Sequence, residues 1–319
     1  MLSKHTIFQS HFWEEFQNSL VNRKAGHITV EGKHLSWVIV PSVLKQSYLY
    51  INHGPEQGTI SDFWPQLISI AKANHCTYIK FEPLQITDNE LAKIKKLGFK
   101  KSNHSIQPET TLILDLTLEP EAILKQMKPK GRYNIKIAQK HGIRYQSFVK
   151  DTVGVDEALN QFYKLLSLTA TRDHFGIHSR EYYQQFLAKL YPHSRLYLAY
   201  HSQEVIAGIM AVFYQDESIY YYGASSNQGR ETMAAYGLQW HVITEAKAQG
   251  ATTYDFLGIA PENAPADHPW QGVTAFKKKF GGQVCNYPGT FHFICKPLAY
   301  FLIHAPKKIL HTARKYQNR

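Results

Sequence analysis

Three stretches of this 319-residue chain gather residue types able to do chemistry. The first is MKPKGRYNIKIAQKHG, residues 127–142. It sets Lys128, Lys130, Arg132, Lys136 and Lys140 on one short predicted helix and its entrance. Pro129 and Gly131 shape that entrance, where free N–H groups favour phosphate. A solvated basic face fits the same pattern. The second is YYYGASSNQGRETMAAYGLQW, residues 220–240: an aromatic strand, a small-residue loop, and a helix whose N-terminal N–H groups point back at the loop. The third is WQGVTAFKKKFGG, residues 270–282, in which Phe276 and Phe280 flank Lys277, Lys278 and Lys279. A lysine held beside an ester carbonyl stabilises a developing oxyanion. The plainer reading is a basic strand with its two phenylalanines in the core, and it covers at least two of the three lysines.

Other chemistries find no support. The chain has no H-E-x-x-H, G-x-S-x-G, Walker A or Rossmann glycine pattern. His174 and His178 are four apart but Gly176 lies between them, so the sequence supports no metal site. The loop after Ser225 lacks the Gly-rich Q/R-x-x-G-x-G/A form that wraps the pyrophosphate of coenzyme A, which argues against that donor. Cys76, Cys285 and Cys295 are odd in number and suit neither a disulfide framework nor zinc, pointing to a reducing cytoplasm. The N-terminal residues lack the apolar core of a signal peptide, and no window approaches the ~20 apolar residues of a membrane span. With 44% hydrophobic and 19% charged residues the chain is globular; 36 Lys and Arg against 25 Asp and Glu favour a phosphate-rich partner.

The elements that must position these residues repeat. In the first half GHITVE and HLSWVIVP alternate as hairpin strands around Gly32–Lys33, followed by the strand SYLYIN. A helix then starts at Ser61 as N-cap, with apolar residues at Phe63, Leu67, Ile68 and Ala71, and the strand TYIKFEP comes next. Thr87 and Glu90 form a capping box for a further helix that ends at Gly98. In the second half RLYLAY, VIAGIMAVFY and SIYYYGAS are three strands, a helix stops at Gly250, and TTYDFLG is a strand. Ile68, Ala71, Lys72, Ala73, Thr77 and Phe81 match Ile243, Ala246, Lys247, Ala248, Thr252 and Phe256 at one constant offset. The pattern predicts a duplicated antiparallel meander followed by helix and strand. The expected organisation is a first domain over 1–117, a second over 118–296, and a basic helical tail over 297–319, interrupted at Pro306. That tail packs back on the first domain or rests on a membrane surface.

Taken in order, K-x-K-x-R-Y-N-I-x-x-A-x-K-x-G, Y-Y-x-G-A-S-S-N, L-Q-W, Y-D-F-x-G-I and H-P-x-x-G-V-x-x-F-K-x-x-F-G-G resemble the Fem family of peptidoglycan-bridge aminoacyltransferases. The resemblance spans most of residues 110–297 and extends more weakly to W-x-x-F at Trp13 and F-E-P at Phe81–Pro83. It implies an α+β fold of two tandem acetyltransferase-like domains, mostly antiparallel mixed sheets flanked by helices. It implies aminoacyl-tRNA as donor, with no metal or other cofactor, and lipid II or UDP-MurNAc-pentapeptide as acceptor. By position, the resemblance implies that Lys277 is the lysine that stabilises the transition state. Tyr236, Tyr182 and Glu82 likewise look like precursor contacts, and the basic residues Lys128, Lys130, Arg132 and Lys278 are the expected binders of tRNA phosphate. Two positions depart from the family pattern. Gln17 stands where a lysine shortly after the tryptophan is usual, and His178 stands where an arginine precedes the E-Y pair. His178 or the displaced Arg180 is then expected to hold the diphosphate. The expected place of action is the cytoplasm, with peripheral contact at the inner membrane face. Two other classes compete: an acetyl-CoA-dependent acyltransferase acting on a polysaccharide or small amine, and a non-catalytic RNA- or membrane-binding relative.

Overall fold

The computed structural model describes residues 5–304. These form two compact units: the residues up to Leu20 with Ile106–Tyr287, and Val21–Ser105 with the residues from Pro288 onward. The helix α1 (His11–Asn18) opens the larger unit, capped by the Ser10 hydroxyl, which accepts from the Trp13 N–H.

The smaller unit follows with β1 (Lys24–Val30), β2 (Lys33–Pro41), β3 (Ser47–Asn52), α2 (Trp64–Ala73), β4 (Tyr78–Glu82), α3 (Asp88–Leu97) and β5 (Lys100–Ser102). Its hairpin turns at Glu31–Gly32, one residue earlier than the sequence suggests. Both residues take positive φ (49° and 77°), the geometry that matches strand twist in a two-residue turn. Ser61 is not an N-cap. It lies inside a 3-10 turn over Ile60–Phe63, and the Thr59 N–H donates to Asp62 Oδ2 (2.9 Å) at the start of that turn. The Thr87–Glu90 capping box and left-handed Gly98 (φ 99°) are as expected.

The larger unit resumes with β6 (Thr110–Asp115), α4 (Pro120–Gln126), α5 (Pro129–Lys140), β7 (Arg144–Phe148), α6 (Val155–Asp173), α7 (Arg180–Lys189), β8 (Ser194–His201), β9 (Glu204–Tyr214) and β10 (Glu217–Ser225). It continues with α8 (Ala234–Ala248), β11 (Thr253–Gly258), α9 (Gln271–Lys277) and β12 (Gln283–Asn286). The chain then returns to the smaller unit as β13 (Thr290–Ile294) and α10 (Pro297–His304).

The sheet orders are β1-β2-β3-β4-β13-β5 and β12-β6-β11-β10-β9-β8-β7. In the larger sheet, alternate strand residues feed two cores. Tyr197, Ala199, Ile209 and Ala211 pack with Leu238, Val242 and Ile243 of α8, while Leu196, Leu198, Met210 and Val212 pack with Phe162, Leu166 and Phe186 of α6 and α7. Both faces of this mixed sheet are thus covered by helices.

The duplication read from the sequence is present in the strand order and in matched hydrogen bonds. Each unit has an antiparallel meander, a helix, and a strand that returns parallel to the last strand of the meander. The Cys76 N–H donates to Ala71 O (2.8 Å) where the Ala251 N–H donates to Ala246 O (3.1 Å). Thr77 N–H donates to Ser47 O and Thr252 N–H to Asp216 O, both at 2.8 Å.

The units are not consecutive in sequence, and the boundary expected at 117/118 is displaced. Residues 110–115 form β6, which pairs with β11 and β12 inside the larger sheet. Phe16 of α1 packs edge-on against Phe186, also in the larger unit. Residues 290–294 pair with β4 and β5 in the smaller one. Strand pairing is a long-range choice of edges, and nothing local in the sequence encodes it. The described part of the C-terminal tail belongs to the smaller unit: the Tyr300 hydroxyl hydrogen-bonds His292 Nδ1 (2.8 Å) and its ring meets Tyr78 edge-on. Pro306 lies outside the described residues.

Candidate active site

The two units differ where their parallel strands end. β3 and β4 stay paired to Asn52↔Glu82, and the His53 N–H extends the ladder to Glu82 O (2.8 Å). β10 and β11 pair only at Glu217↔Thr253, Ser218↔Tyr254 and Ile219↔Asp255. Past that point β10 shifts register against β9 between Tyr220 and Tyr222, and β11 shifts against β6 between Asp255 and Gly258. Two irregularities at one level free backbone groups from the ladder and open a fork. Crevices beyond the C-terminal ends of parallel strands are where open sheets bind ligands.

Lys277 reaches into this fork. It ends α9, a helix where a basic strand was one expectation, and it is only 6% exposed. Its Nζ donates to Gly258 O (2.7 Å) and lies 5.5 Å from the centre of the Tyr220 ring. Burial lowers its pKa from 10.5 to about 8, and the charge of Asp255 works in the opposite direction. At neutral pH the group is therefore chiefly an ammonium, held with little water around it.

Asp255, which sequence reasoning passed over, is buried on β11. It accepts from the Thr111 hydroxyl, from the Leu257 N–H (2.7 Å) and from the Tyr287 hydroxyl (3.4 Å). Burial raises its pKa above the ordinary carboxylate value, and these donors together with the Lys277 charge offset part of that rise. A charged residue inside a strand that otherwise reads as core was the available signal.

The two basic stretches meet. The Lys128 N–H donates to Lys279 O (3.1 Å), and a Cβ on Gly131 would lie 2.4 Å from that same oxygen. Glycine at 131 is what lets the first turn of α5 touch the 3-10 turn Lys278–Phe280. Tyr236, on α8, stacks on Phe280 (5.7 Å), meets Phe276 edge-on (4.9 Å) and accepts from Lys279 Nζ (2.8 Å). Thus Lys279, not one of the two lysines singled out, bonds the expected precursor tyrosine. Lys128 and Lys130 are exposed at the start of α5, and Lys278 is half-buried. Arg132 donates to Met127 O and, at 3.4 Å, to Leu124 O and Lys125 O, so its guanidinium caps the C-terminus of α4.

The remaining expected residues have partners of their own. His178 stacks on Tyr182 (3.8 Å), whose hydroxyl accepts from the Tyr222 hydroxyl (3.2 Å). Arg180 instead bonds Asn160 (2.5 Å) and Gln184 (3.2 Å) and pairs loosely with Asp156 (3.5 Å). Glu82 belongs to the smaller unit, where its carboxylate is buried and accepts from the Tyr50 hydroxyl (2.6 Å) and the Thr290 hydroxyl (2.8 Å). No group of His, Cys, Asp and Glu side chains among the described residues is arranged to hold a metal ion.

A model of the FemAB family matches residues 3–204 and 199–308. The lipid II:glycine glycyltransferase of Staphylococcus haemolyticus (strain JCSC1435) is 22% identical over 341 residues, covering 83% of this chain and 80% of that protein. The lipid II:glycine glycyltransferase of Staphylococcus aureus is 25% identical over 326 residues, covering 77% and 75%. Among solved structures, FemX superposes with a TM-score of 0.79 at 21% identity, over 93% of this chain and 94% of that one. The structure of L-PGS from Bacillus licheniformis follows at 0.59 and 14%, over 90% of each chain. At these identities the structural likeness is one of fold.

Proposed function

This chain belongs to the FemAB family, and on that premise we propose that it is an aminoacyltransferase. It moves an amino acid from aminoacyl-tRNA to the stem-peptide amine of a peptidoglycan precursor, lipid II or UDP-MurNAc-pentapeptide. The observation that carries this reading is the buried ammonium of Lys277 in the fork between β10 and β11. The amine nitrogen attacks the ester carbonyl, forming the C–N bond and a tetrahedral oxyanion. The C–O bond then breaks, and the tRNA 3′ hydroxyl leaves with the proton lost by the amine. The ester is already activated, so orientation and one fixed cation supply much of the rate, and the reaction draws on no metal or nucleotide cofactor. A buried charge is worth more here than in water because little solvent screens it.

Lys128, Lys130 and Lys278 are assigned to donor phosphates, and Tyr236 to the precursor. His178 with Tyr182 forms a separate stacked surface that we assign to the precursor as well. The names of the staphylococcal relatives make glycine the first amino acid to try. The test is a screen of radiolabelled aminoacyl-tRNAs against lipid II and its nucleotide precursor. Transfer of label to the stem peptide supports the reading. Acetyl transfer from acetyl-CoA to an amine, with no response to any charged tRNA, overturns it.

We also place peripheral membrane contact on α10, at the cytoplasmic face. Leu298, Phe301 and Leu302 are exposed on this helix, while Tyr300 and His304 on its other side stack together and meet Tyr78. Residues 305–319 carry Lys307, Lys308, Arg314, Lys315 and Arg319 and no acidic residue. An apolar helix face followed in sequence by cationic residues suits an anionic bilayer. Co-sedimentation with phosphatidylglycerol vesicles, lost in Leu298→Ser/Phe301→Ser and absent with phosphatidylcholine, is the expected result. Equal sedimentation of the variant refutes the assignment. No helix among the described residues is long and apolar enough to cross a membrane.

A further inference from the structure

We propose that Asp255 is the positioning residue for Lys277, acting through the backbone turn at Leu257 and through its own charge. The proposal rests on the catalytic reading of Lys277, but its geometry stands independently of it. Leu257 has φ of 54°, a left-handed conformation that a leucine rarely adopts. The Leu257 N–H donates to Asp255 Oδ1 at 2.7 Å, a side-chain bond two residues along the chain that stabilises such a turn. The next carbonyl, that of Gly258, accepts from Lys277 Nζ at 2.7 Å. Here too the β11 register against β6 is broken, between Asp255 and Gly258. The strained residue therefore has a visible cause on one side and a consequence on the other. The carboxylate fixes the turn, and the turn aims the carbonyl that holds the ammonium.

The second contribution is charge. Lys277 bonds the carbonyl and not the carboxylate, yet Asp255 is the acidic group whose charge acts on it. The Thr111, Leu257 and Tyr287 donors gathered on Asp255 favour its ionised form. The other titratable groups facing this pair are Tyr220 of β10 beside Lys277, Glu217 of β10, Tyr254 of β11 and Cys285 of β12 beside Asp255, and Tyr287 itself. Glu217 is pushed strongly towards its neutral form by burial and by Asp255 and Asp216; burial raises Asp255 too, but its three donors and the Lys277 charge favour its ionised form.

Asp255→Asn keeps an acceptor for the Leu257 N–H and removes the charge, whereas Asp255→Ala removes both. Glycine takes positive φ without strain, so Asp255→Ala/Leu257→Gly restores the turn without the charge. Titration of Lys277 is read directly by NMR on lysine-labelled protein, and kcat is read with aminoacyl-tRNA and lipid II. In Asp255→Asn the Lys277 midpoint falls by about one pH unit, and kcat at pH 8 drops ~5-fold with KM unchanged. Asp255→Ala loses more kcat, and the Leu257→Gly second change recovers that extra loss but leaves the midpoint low. An unchanged Lys277 midpoint in folded Asp255→Asn overturns the charge half, and no recovery in the double variant overturns the turn half. Should Asp255→Asn fail to fold, Leu257→Ile tests the same relay, because a branched Cβ resists positive φ. Wild-type kcat and midpoint in that variant overturn the proposal. If Lys277→Met proves fully active while these midpoints move as stated, the catalytic reading fails and the positioning role stands.

Discussion

Replacing Lys277 by methionine is expected to make the protein more stable and nearly inactive at the same time. The fall of its pKa from 10.5 in the unfolded chain to about 8 in the fold is a penalty on the charged form. At about 1.36 kcal/mol per pH unit that penalty is roughly 3 kcal/mol below pH 8. Methionine matches the length of the aliphatic stem and carries no charge, so it removes the penalty. It also leaves the Gly258 carbonyl without its Nζ partner, which costs roughly 1–2 kcal/mol. The net gain is then about 1–2 kcal/mol at pH 7.

The sign is specific. The unfolded chain binds the extra proton between pH 8 and pH 10.5, so the wild type gains stability as pH rises through that window. The advantage of Lys277→Met must shrink over the same window. Catalysis moves the other way: loss of one oxyanion-stabilising cation costs roughly 2.7–4 kcal/mol, or 100- to 1,000-fold in kcat. Denaturant unfolding at pH 7 and pH 10, with single-turnover transfer from charged tRNA, measures both. Activity within about twofold of wild type, or a variant destabilised by more than ~1 kcal/mol at pH 7, would refute the reasoning.

Three further outcomes follow from the same geometry. The rate should fall on an alkaline limb centred near pH 8 as Lys277 loses its proton, and a limb that is absent up to pH 10 counts against a required ammonium. Gly131→Ala, which in an open helix would stabilise, should here cost about 1–3 kcal/mol and depress kcat, because the new Cβ meets Lys279 O at 2.4 Å; a rise in melting temperature would contradict the close contact. Thr87→Ala should cost about 1 kcal/mol through loss of the capping box and leave transfer untouched, as thermal unfolding and the transfer assay together will show.

The sequence by itself determined the repeat, most of the strands and the residue types of the site. Apolar runs bounded by polar turns wrote β8, β9 and β10, the capping box wrote the start of α3, and the constant offset between Ala71 and Ala246 wrote the duplication, because each of these is a local or periodic property of the chain. Lys277 was legible as a candidate from its setting between two phenylalanines and from the family resemblance. What only the tertiary structure decided was which groups come together. The exchange of β6, β13 and α1 between units depends on strand edges and helix faces meeting from distant parts of the chain. So does the contact of Gly131 with Lys279, which joins two basic stretches that the sequence holds about 150 residues apart. The fork that receives Lys277 exists because β10 and β11 part after Ile219↔Asp255, whereas their counterparts β3 and β4 stay paired to the end. A strand's register against its neighbours is a property of the sheet as a whole, and for that reason the contacts of Asp255 were invisible until the sheet had formed.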